Sequence, residues 1–445
     1  MTLPTRKVLR HTIHSYHMRK VLFLIVALLL ALSSAARDFK YNGLWYTVIS
    51  EDEMTCKTKD GIYDTCPEGD DYCHEAGNYT SGILLIPDNV SDGTNIYTVT
   101  EIGYMGFFGN SGLTQVSIPS TVKSIRSLAF SECDHLKQIT IPNSVSQIYD
   151  RCFSGCSSLE KIVIPDGMTY IGTYTFYECS ALADIKIGDS VKRIEYDAFA
   201  ECTSVESITL PDAVTEVYSD AFNNCTNLTE VYFGKNISDI RKYAFSGCIN
   251  LSQFHVDPEN PNFCSVDGAI YSNDLTELIM LPPNVGSSFT IPESIIDIKD
   301  DTFNSQTALT EITIPNSVKR IGNRAFFNCS GLSKVTLGNS VAEIGDEAFG
   351  NCIPLEEVRI PDSTVSIGIE AFASNSSLKN VTIGNGLAKI SDKAFYKCHN
   401  LENLSIGTSV EEIGSYAFEG CTSLNKIIIP NSVKSIGTYA FSNCI

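Results

Sequence analysis

The sequence is organised by phenylalanines that recur every 23 residues. Fourteen of them fall into two registers, separated by one interruption: Phe107, Phe130, Phe153, Phe176, Phe199, Phe222 and Phe245, then Phe303, Phe326, Phe349, Phe372, Phe395, Phe418 and Phe441. Such a period indicates an internal repeat, and a repeat protein grows by stacking similar units rather than by enlarging one core. The usual expectation of two or three globular domains for 445 residues therefore does not apply.

Each repeat also carries aliphatic residues at fixed distances from its phenylalanine. The last repeat shows them at Leu424, Ile427 and Ile429, followed at once by Pro430. The alternating isoleucines are typical of a strand with one buried face, and proline or glycine ends that strand. Because one turn of 23 residues cannot enclose its own apolar side chains, we predict that neighbouring turns stack with their strands in parallel. The small residue before each phenylalanine, usually alanine and in one turn Cys152, indicates close approach of the next turn.

The combined pattern LxxIxIPxxVxxIGxxAFxxCxxL resembles that of the BspA-like leucine-rich repeat surface proteins over residues 96–445. The resemblance implies an α/β-type repeat solenoid: an arc of 23-residue turns with a parallel concave β-sheet and little regular helix. It also implies an extracellular protein used in adhesion, or in binding to host matrix and cells. The family's ligands vary widely, so only this class of function carries over.

Two segments depart from the repeat. Residues 37–95 lack the period and are predicted to form a β-rich N-terminal cap, since a terminal turn would otherwise expose its core. The interruption at about residues 257–288 contains AIYSNDLTELIML, which reads as two strands around a polar turn. We expect a hairpin insert within one continuous solenoid (96–445); a linker between two independent solenoids is the alternative. No cap follows Phe441, so either the last turn frays or the sequence continues.

The first 36 residues have the composition of a secretory signal peptide. Arg19 and Lys20 precede an apolar run from Val21 to Leu32, and small residues follow as far as Ala36. Residues 1–17 lie either upstream of the true start at Met18 or in an extended basic region. The apolar run is too short for a typical membrane helix, and we expect no transmembrane helix in the mature chain. These features predict a secreted or cell-surface protein.

The charge of the exported chain limits its partners. Removal of 1–36 takes away five basic residues and leaves 27 basic and 52 acidic ones, a formal net charge of −25. Nucleic acids and anionic membrane surfaces are disfavoured, because both bind basic surfaces.

Eleven cysteines stand three residues after a repeat phenylalanine, and Asn110, Gln306 and Asn375 replace cysteine in three turns. Zinc binding normally needs cysteines at short spacings, and disulfides between turns need demanding geometry. We therefore interpret the position as a small buried residue that lines the turn. Cys56, Cys66, Cys73 and Cys264 lie outside this series; a Cys66–Cys73 and a Cys56–Cys73 bridge are equally compatible with the sequence.

The sequence contains no motif of a known catalytic, phosphate-binding or metal site. We expect no enzymatic activity, no cofactor and no metal.

A binding surface is expected on the concave sheet, where the residue between the two inward aliphatics of each strand points outward. Most of these residues are serine or threonine, which strand propensity alone explains. The larger ones are the candidates for ligand contact: Lys186, Tyr232, His255 and Arg359. Lys186, Tyr232 and His255 form a hypothetical contact patch beside the insert; an inert sheet face is the alternative. Two functions remain. The first is adhesion to a protein of the host matrix or cell surface, or to a glycan, and the second is that of a secreted structural scaffold.

Overall fold

The computed structural model describes residues 37–60 and 81–444 and shows a β-solenoid of about 15 turns of about 23 residues. The predicted signal peptide (1–36) lies outside the described residues. No helix occurs in the two described ranges, so the α/β part of the predicted fold class is not confirmed. The segment that would have to form a helix in each turn is instead a short strand followed by tight turns. Its two left-handed backbone positions are incompatible with a helix.

The segment before the repeats supplies the first strand of each sheet of the solenoid. Its strands are β1 (Asp38–Tyr41), β2 (Leu44–Ser50), β3 (Thr55–Thr58), β4 (Gly82–Leu85), β5 (Asn89–Ser91) and β6 (Ile96–Ile102). The first three form an antiparallel meander, and β6 pairs in parallel with β3 and also with the first short strand of the repeats. Strand β4 pairs in parallel with the first long strand. Phe39, Tyr46 and Tyr97 fill the space between these strands.

The long strands of the repeats pair in parallel with a register of one full turn, so Thr209 lies beside Tyr232 and Tyr232 beside His255. We call this surface the long-strand sheet; it is the one that the sequence predicted to be concave. Its strands are β7 (Leu113–Ser117), β9 (Gln138–Thr140), β11 (Lys161–Val163), β13 (Asp184–Lys186), β15 (Ser207–Leu210), β17 (Glu230–Phe233), β19 (Gln253–Val256), β24 (Glu311–Thr313), β26 (Lys334–Thr336), β28 (Glu357–Ile360), β30 (Asn380–Ile383) and β32 (Asn403–Ser405).

A second set of strands, each two residues long, forms the short-strand sheet. Eleven of the thirteen contribute one buried aliphatic, such as Ile125 or Ile148, whereas Ile240 is half-buried and Ile436 exposed. Most of these strands also pair in parallel with the next turn. They are β8 (Ser124–Ile125), β10 (Gln147–Ile148), β12 (Tyr170–Ile171), β14 (Arg193–Ile194), β16 (Glu216–Val217), β18 (Asp239–Ile240), β23 (Asp297–Ile298), β25 (Arg320–Ile321), β27 (Glu343–Ile344), β29 (Ser366–Ile367), β31 (Lys389–Ile390), β33 (Glu412–Ile413) and β34 (Ser435–Ile436).

The insert contains three antiparallel strands, β20 (Phe263–Val266), β21 (Ala269–Ser272) and β22 (Glu277–Met280). The pair β21–β22 is the hairpin that the sequence predicted. Strand β22 also pairs in parallel with β23, so the hairpin takes the place of one short strand and the short-strand sheet continues beyond it. The buried core divides here into two clusters, which meet at the adjacent residues Ala269 and Ile270.

The phenylalanines form two stacks inside the solenoid. Neighbouring rings in the first stack are nearly parallel with centroids 5.2–5.6 Å apart, as for Phe107–Phe130 and Phe130–Phe153. Each phenylalanine is flanked, two residues before and two residues after, by a left-handed residue such as Leu128 (φ 60°) and Glu132 (φ 59°). The N–H groups of these two residues donate to carbonyls of the next turn, at 3.3 Å and 2.7 Å, which offsets their backbone strain.

Candidate functional site

The long-strand sheet presents one outward side chain per turn between two buried aliphatics. In strand β17, Val231 and Phe233 are buried whereas Glu230 and Tyr232 face outward. This alternation follows from the pleat of the strand, in which successive side chains point to opposite faces. The sheet therefore displays a row of side chains that can be varied without changing the core.

Tyr232 and His255 form the most distinct cluster in this row. Their rings stack with centroids 4.5 Å apart and an angle of 14° between the planes. The Tyr232 hydroxyl donates to the Glu230 carboxylate, and this hydrogen bond raises the pKa of Tyr232 above its ordinary value. His255 Nε2 lies 3.8 Å from Glu230 Oε2, beyond hydrogen-bond distance, and is shielded from solvent without a hydrogen-bond partner among the described residues. The cluster thus combines two stacked rings and one carboxylate, with His255 Nε2 facing that carboxylate.

The insert interrupts the long-strand sheet immediately beside His255. After β19 the next strand of this sheet is β24, and the preceding residues 282–288 contribute an isolated parallel bridge from Ser288 to Glu311. This segment is held by two backbone hydrogen bonds, from Asn284 N to Leu251 O (3.1 Å) and from Thr310 N to Ser287 O (2.9 Å). The Tyr232–His255 pair therefore lies beside one of three breaks in the pairing of this sheet; the other two fall between β13 and β15 and between β26 and β28.

The other two candidate residues do not join this cluster. Lys186 is exposed on β13, two turns before Tyr232, and β13 does not pair with β15, the strand that carries Thr209. Arg359 is exposed on β28, on the far side of the insert. The structure brings Tyr232 and His255 together, leaves Lys186 within reach of one ligand, and separates Arg359 from the other three. Whether any of the four contacts a ligand remains a prediction.

The cysteine series is structural. All described cysteines are free, and the thiol of each series member donates to the carbonyl of a phenylalanine one turn earlier, as Cys156 does to Phe130 O at 3.1 Å. Asn375 makes the same bond through Nδ2 to Phe349 O at 2.9 Å. The predicted small buried residue is therefore confirmed, with a donor role that explains Asn375 as a substitute; Asn110 Nδ2 has no hydrogen-bond partner among the described residues. Burial raises the pKa of Cys133 to about 12, which keeps its thiol protonated. Cys66 and Cys73 lie outside the described residues.

Two further observations apply to residues 37–60 and 81–444 only. These ranges hold no group of three or more histidine, cysteine, aspartate or glutamate side chains arranged to bind a metal ion. They also contain no helix that is long and apolar enough to span a membrane.

Sequence reasoning missed a second surface, on the short-strand sheet before the insert. Several tyrosines and arginines lie there in consecutive turns, and we call this surface the tyrosine face: Arg126, Tyr149, Arg151, Tyr170, Tyr174, Arg193, Tyr196, Tyr218, Arg241 and Tyr243. A comparison of the same repeat position across all turns would have found it. The position four residues before each phenylalanine is glycine in five of seven turns after the insert, whereas five of the seven turns before the insert carry a large polar residue there.

Comparison with known proteins agrees with this architecture. The family model for the BspA type leucine rich repeat region matches residues 94–202, 169–287, 285–398 and 342–445. A leucine-rich repeat protein from Bacteroides ovatus is 27% identical, with a TM-score of 0.60, over 89% of this chain and 95% of that protein. A leucine rich cell surface protein from Faecalibacterium prausnitzii is 25% identical, with a TM-score of 0.53, over 84% and 96%. The pneumococcal vaccine antigen PcpA, 23% identical with a TM-score of 0.53 over 90% and 93%, shows the same fold. Among curated proteins no sequence matches the chain.

Proposed function

Because the chain belongs to the BspA-type leucine-rich repeat family, we propose that it is an exported surface protein that binds a macromolecular partner through its long-strand sheet. The partner is a protein of the host matrix or cell surface, or a glycan, and the role is recognition without catalysis. The similar Faecalibacterium protein is itself described as a cell surface protein. The predicted signal peptide supports export of this chain.

One observation carries the proposal more than any other. Twelve long strands repeat nearly the same buried pattern, whereas their outward residues change from serine or threonine to a stacked Tyr232–His255 pair beside the insert. A structural sheet face does not need two stacked aromatic rings. Such groups are common at the centres of protein interfaces, where large side chains provide most of the binding energy. We therefore place the centre of the contact at Tyr232, His255 and Glu230, with Lys186 at its margin.

The proposal is tested with the chain from residue 37 on a panel of purified extracellular-matrix proteins, glycans and intact cells. The variant carries Lys186→Ala, Tyr232→Ala and His255→Ala. The matched control carries Thr313→Ala, Thr336→Ala and Thr382→Ala, three outward residues of the same sheet beyond the insert. We expect saturable binding by the wild type, at least a tenfold loss in the variant, and little change in the control. Equal binding by the wild type, the variant and the control would refute the assignment of the contact to Lys186, Tyr232 and His255.

The second candidate function is a secreted scaffold whose solenoid holds neighbouring molecules of an envelope or matrix. The outward row after the insert favours it, because it is mostly serine and threonine and has few large anchors apart from Arg359. A scaffold predicts tight association with the cell envelope and no saturable binding to any member of the panel. Saturable binding that is competed by the soluble chain would exclude the scaffold as the sole role.

A further inference from the structure

The strands β15, β17 and β19 form the most negatively charged paired section of the long-strand sheet. On these strands and on the residue directly before each of them, Glu206 and Glu230 are the only carboxylates, and no lysine or arginine occurs. The other three paired sections all contain lysine or arginine at such positions: Lys137, Lys161, Lys186, Lys334, Arg359 and Lys379. A positively charged group of a partner is therefore favoured at β15–β19 over the rest of the sheet.

The ring of Tyr232, on the middle strand of this section, has one covered face and one open face. Its centre lies 4.5 Å from that of His255, close to the usual distance of about 4.8 Å between neighbouring strands, so the two rings stack along the solenoid axis. The opposite face of Tyr232 therefore points toward β15, where Thr209 is the neighbouring outward residue. Among the described residues no other ring and no cation stacks on this face, and Tyr232 is 39% exposed. A flat group can reach this face above the small side chain of Thr209.

The two carboxylates of the section lie at the same end of this ring. The Tyr232 hydroxyl donates to Glu230, so the ring leans toward the N-terminal end of β17. Glu206 lies at the same end of the neighbouring strand, since Thr229 N donates to Glu206 O at 2.9 Å. The Glu206 side chain is exposed and forms no ion pair within the two described ranges. The open face of Tyr232 thus has one carboxylate on its own strand and a second on the strand that it faces.

The pairing of the sheet ends directly beyond Glu206. In the regular turns the residue before a long strand donates to its counterpart one turn earlier, as Ala183 N does to Glu160 O at 3.0 Å. The described residues show no such bond from Glu206 to Ala183, and β13 does not pair with β15. Lys186, on β13, is the nearest cation and lies beyond this break. The region in front of Tyr232 is therefore acidic at one side, while Lys186 at the other side disfavours a second positive charge.

From this geometry we propose that the open face of Tyr232 receives an arginine side chain of a protein partner, and that Glu206 and Glu230 pair with its guanidinium group. The inference rests on the proposed function and specifies its partner as a protein with an exposed arginine that has no second basic residue beside it. A guanidinium is flat, stacks on an aromatic ring and donates several N–H groups to carboxylates, so it uses all three side chains at once. A lysine ammonium lacks the flat shape, and a neutral sugar lacks the charge.

Nuclear magnetic resonance titration of the chain from residue 37 tests the proposal with the blocked peptides acetyl-Gly-Arg-Gly-amide and acetyl-Gly-Lys-Gly-amide and with the neutral disaccharide lactose. Labelling with ¹³C-histidine gives only four ring signals, because four histidines follow residue 36. The His255 signal, assigned with His255→Gln, reports on the adjoining Tyr232 and Glu230, whereas His135 and His399 serve as internal references. The arginine peptide should shift the His255 signal to saturation, and the lysine peptide should bind at least about threefold more weakly.

Two variants and a matched control locate the contact. Glu206→Gln should weaken binding of the arginine peptide at least about threefold, and Tyr232→Leu should remove the preference for arginine over lysine. Glu402→Gln, at the equivalent exposed position before β32, should bind like the wild type. Unchanged His135 and His399 signals verify that each variant is folded.

Equal binding of the arginine and lysine peptides by the wild type, an unchanged affinity in Glu206→Gln, or a His255 response to lactose alone would overturn the proposal. The failure of the proposed function is a different result. If the arginine peptide binds as expected but no matrix protein, glycan or cell does, only the proposed function is refuted. If a matrix protein or cell binds through Tyr232 and His255 but the arginine peptide does not, only the arginine assignment is refuted.

Discussion

Replacement of Phe199 by alanine tests the central packing argument, because this ring lies in the middle of the first phenylalanine stack. Phe199 is fully buried, with its ring centre 5.2 Å from that of Phe176 and 5.3 Å from that of Phe222. Both pairs are within 8° of parallel. The substitution removes one ring and with it both stacking contacts, whereas the backbone bond from residue 199 to Ala221 O does not involve the side chain.

The expected cost follows from these contacts. Truncation of a buried phenylalanine to alanine costs about 3–5 kcal/mol, including the cavity that remains. Each stacked aromatic pair adds about 0.5–1.5 kcal/mol beyond the buried area, and two pairs are lost here. The neighbouring rings are fixed by their own turns and cannot collapse into the space. We therefore expect a local loss near the upper end, about 4–5 kcal/mol.

This loss should stay near the substitution. Turns of a solenoid contact only their neighbours, so stability is approximately a sum of turn and interface contributions. Amide hydrogen exchange followed by mass spectrometry measures this turn by turn. Exchange should accelerate strongly in the turns of Phe176, Phe199 and Phe222, and hardly at all around Phe395 and Phe418.

The matched control is Phe327→Ala. Phe327 follows a stack phenylalanine directly, but it is half-buried and contacts the Arg324 guanidinium at 4.0 Å. Loss of such a cation–π contact at a partly exposed site costs about 0.5–1 kcal/mol. A Phe199→Ala effect no larger than the control, or an equal acceleration in all turns, would refute the stacking argument.

Three further predictions concern the cysteine series. Asn375→Cys should raise the free energy of unfolding by about 1 kcal/mol in urea titrations, because the buried Asn375 Oδ1 has no hydrogen-bond partner and a thiol still donates to Phe349 O; a lower stability would contradict this. Iodoacetamide under native conditions should label the half-buried Cys264 and Cys444 before the buried Cys156 and Cys179, as measured by peptide mass spectrometry, and equal labelling would show that the thiols are accessible. Stability should fall as the pH rises above about 9. Burial raises the pKa of Cys133 and Cys398 to about 12 in the folded protein, whereas the unfolded thiols ionise near their ordinary pKa of 9.0. The stabilising contribution of the protonated thiols is therefore complete below pH 9 and lost toward pH 12. Thermal unfolding from pH 7 to 11 checks this, and replacing Cys398 by serine should make the decline less steep.

The repeat register, the long strands and the small buried cysteine position could all be predicted from the sequence. Each depends on a local pattern that 23-residue periodicity repeats many times, so coincidence is excluded. The α/β expectation was not confirmed, because a family resemblance does not specify how the second half of each turn closes. Leucine, glutamate and tyrosine have no preference for a left-handed backbone, yet Leu128, Glu132 and Tyr174 adopt one in this structure. Their conformation depends on hydrogen bonds to the next turn, and a local sequence pattern does not specify these bonds.

The candidate sites also divide into features that the sequence predicted and features that only the structure showed. The outward row with Lys186, Tyr232, His255 and Arg359 was found from strand periodicity. That Tyr232 and His255 stack, and that Arg359 lies beyond an interrupted part of the sheet, required the three-dimensional positions. The tyrosine face was visible in the sequence as larger residues at a repeat position that is usually glycine after the insert. It was overlooked because strand reasoning directs attention to the long strands alone.

The sequence by itself determined that this chain forms a solenoid, since a 23-residue unit with one apolar face must bury that face against its neighbours. It also determined which residues are inside, through the period of two along each strand. Only the tertiary structure decided which outward residues lie side by side. Side chains 23 or 46 residues apart become neighbours through stacking, and the insert sets where that stacking is regular and where it is broken.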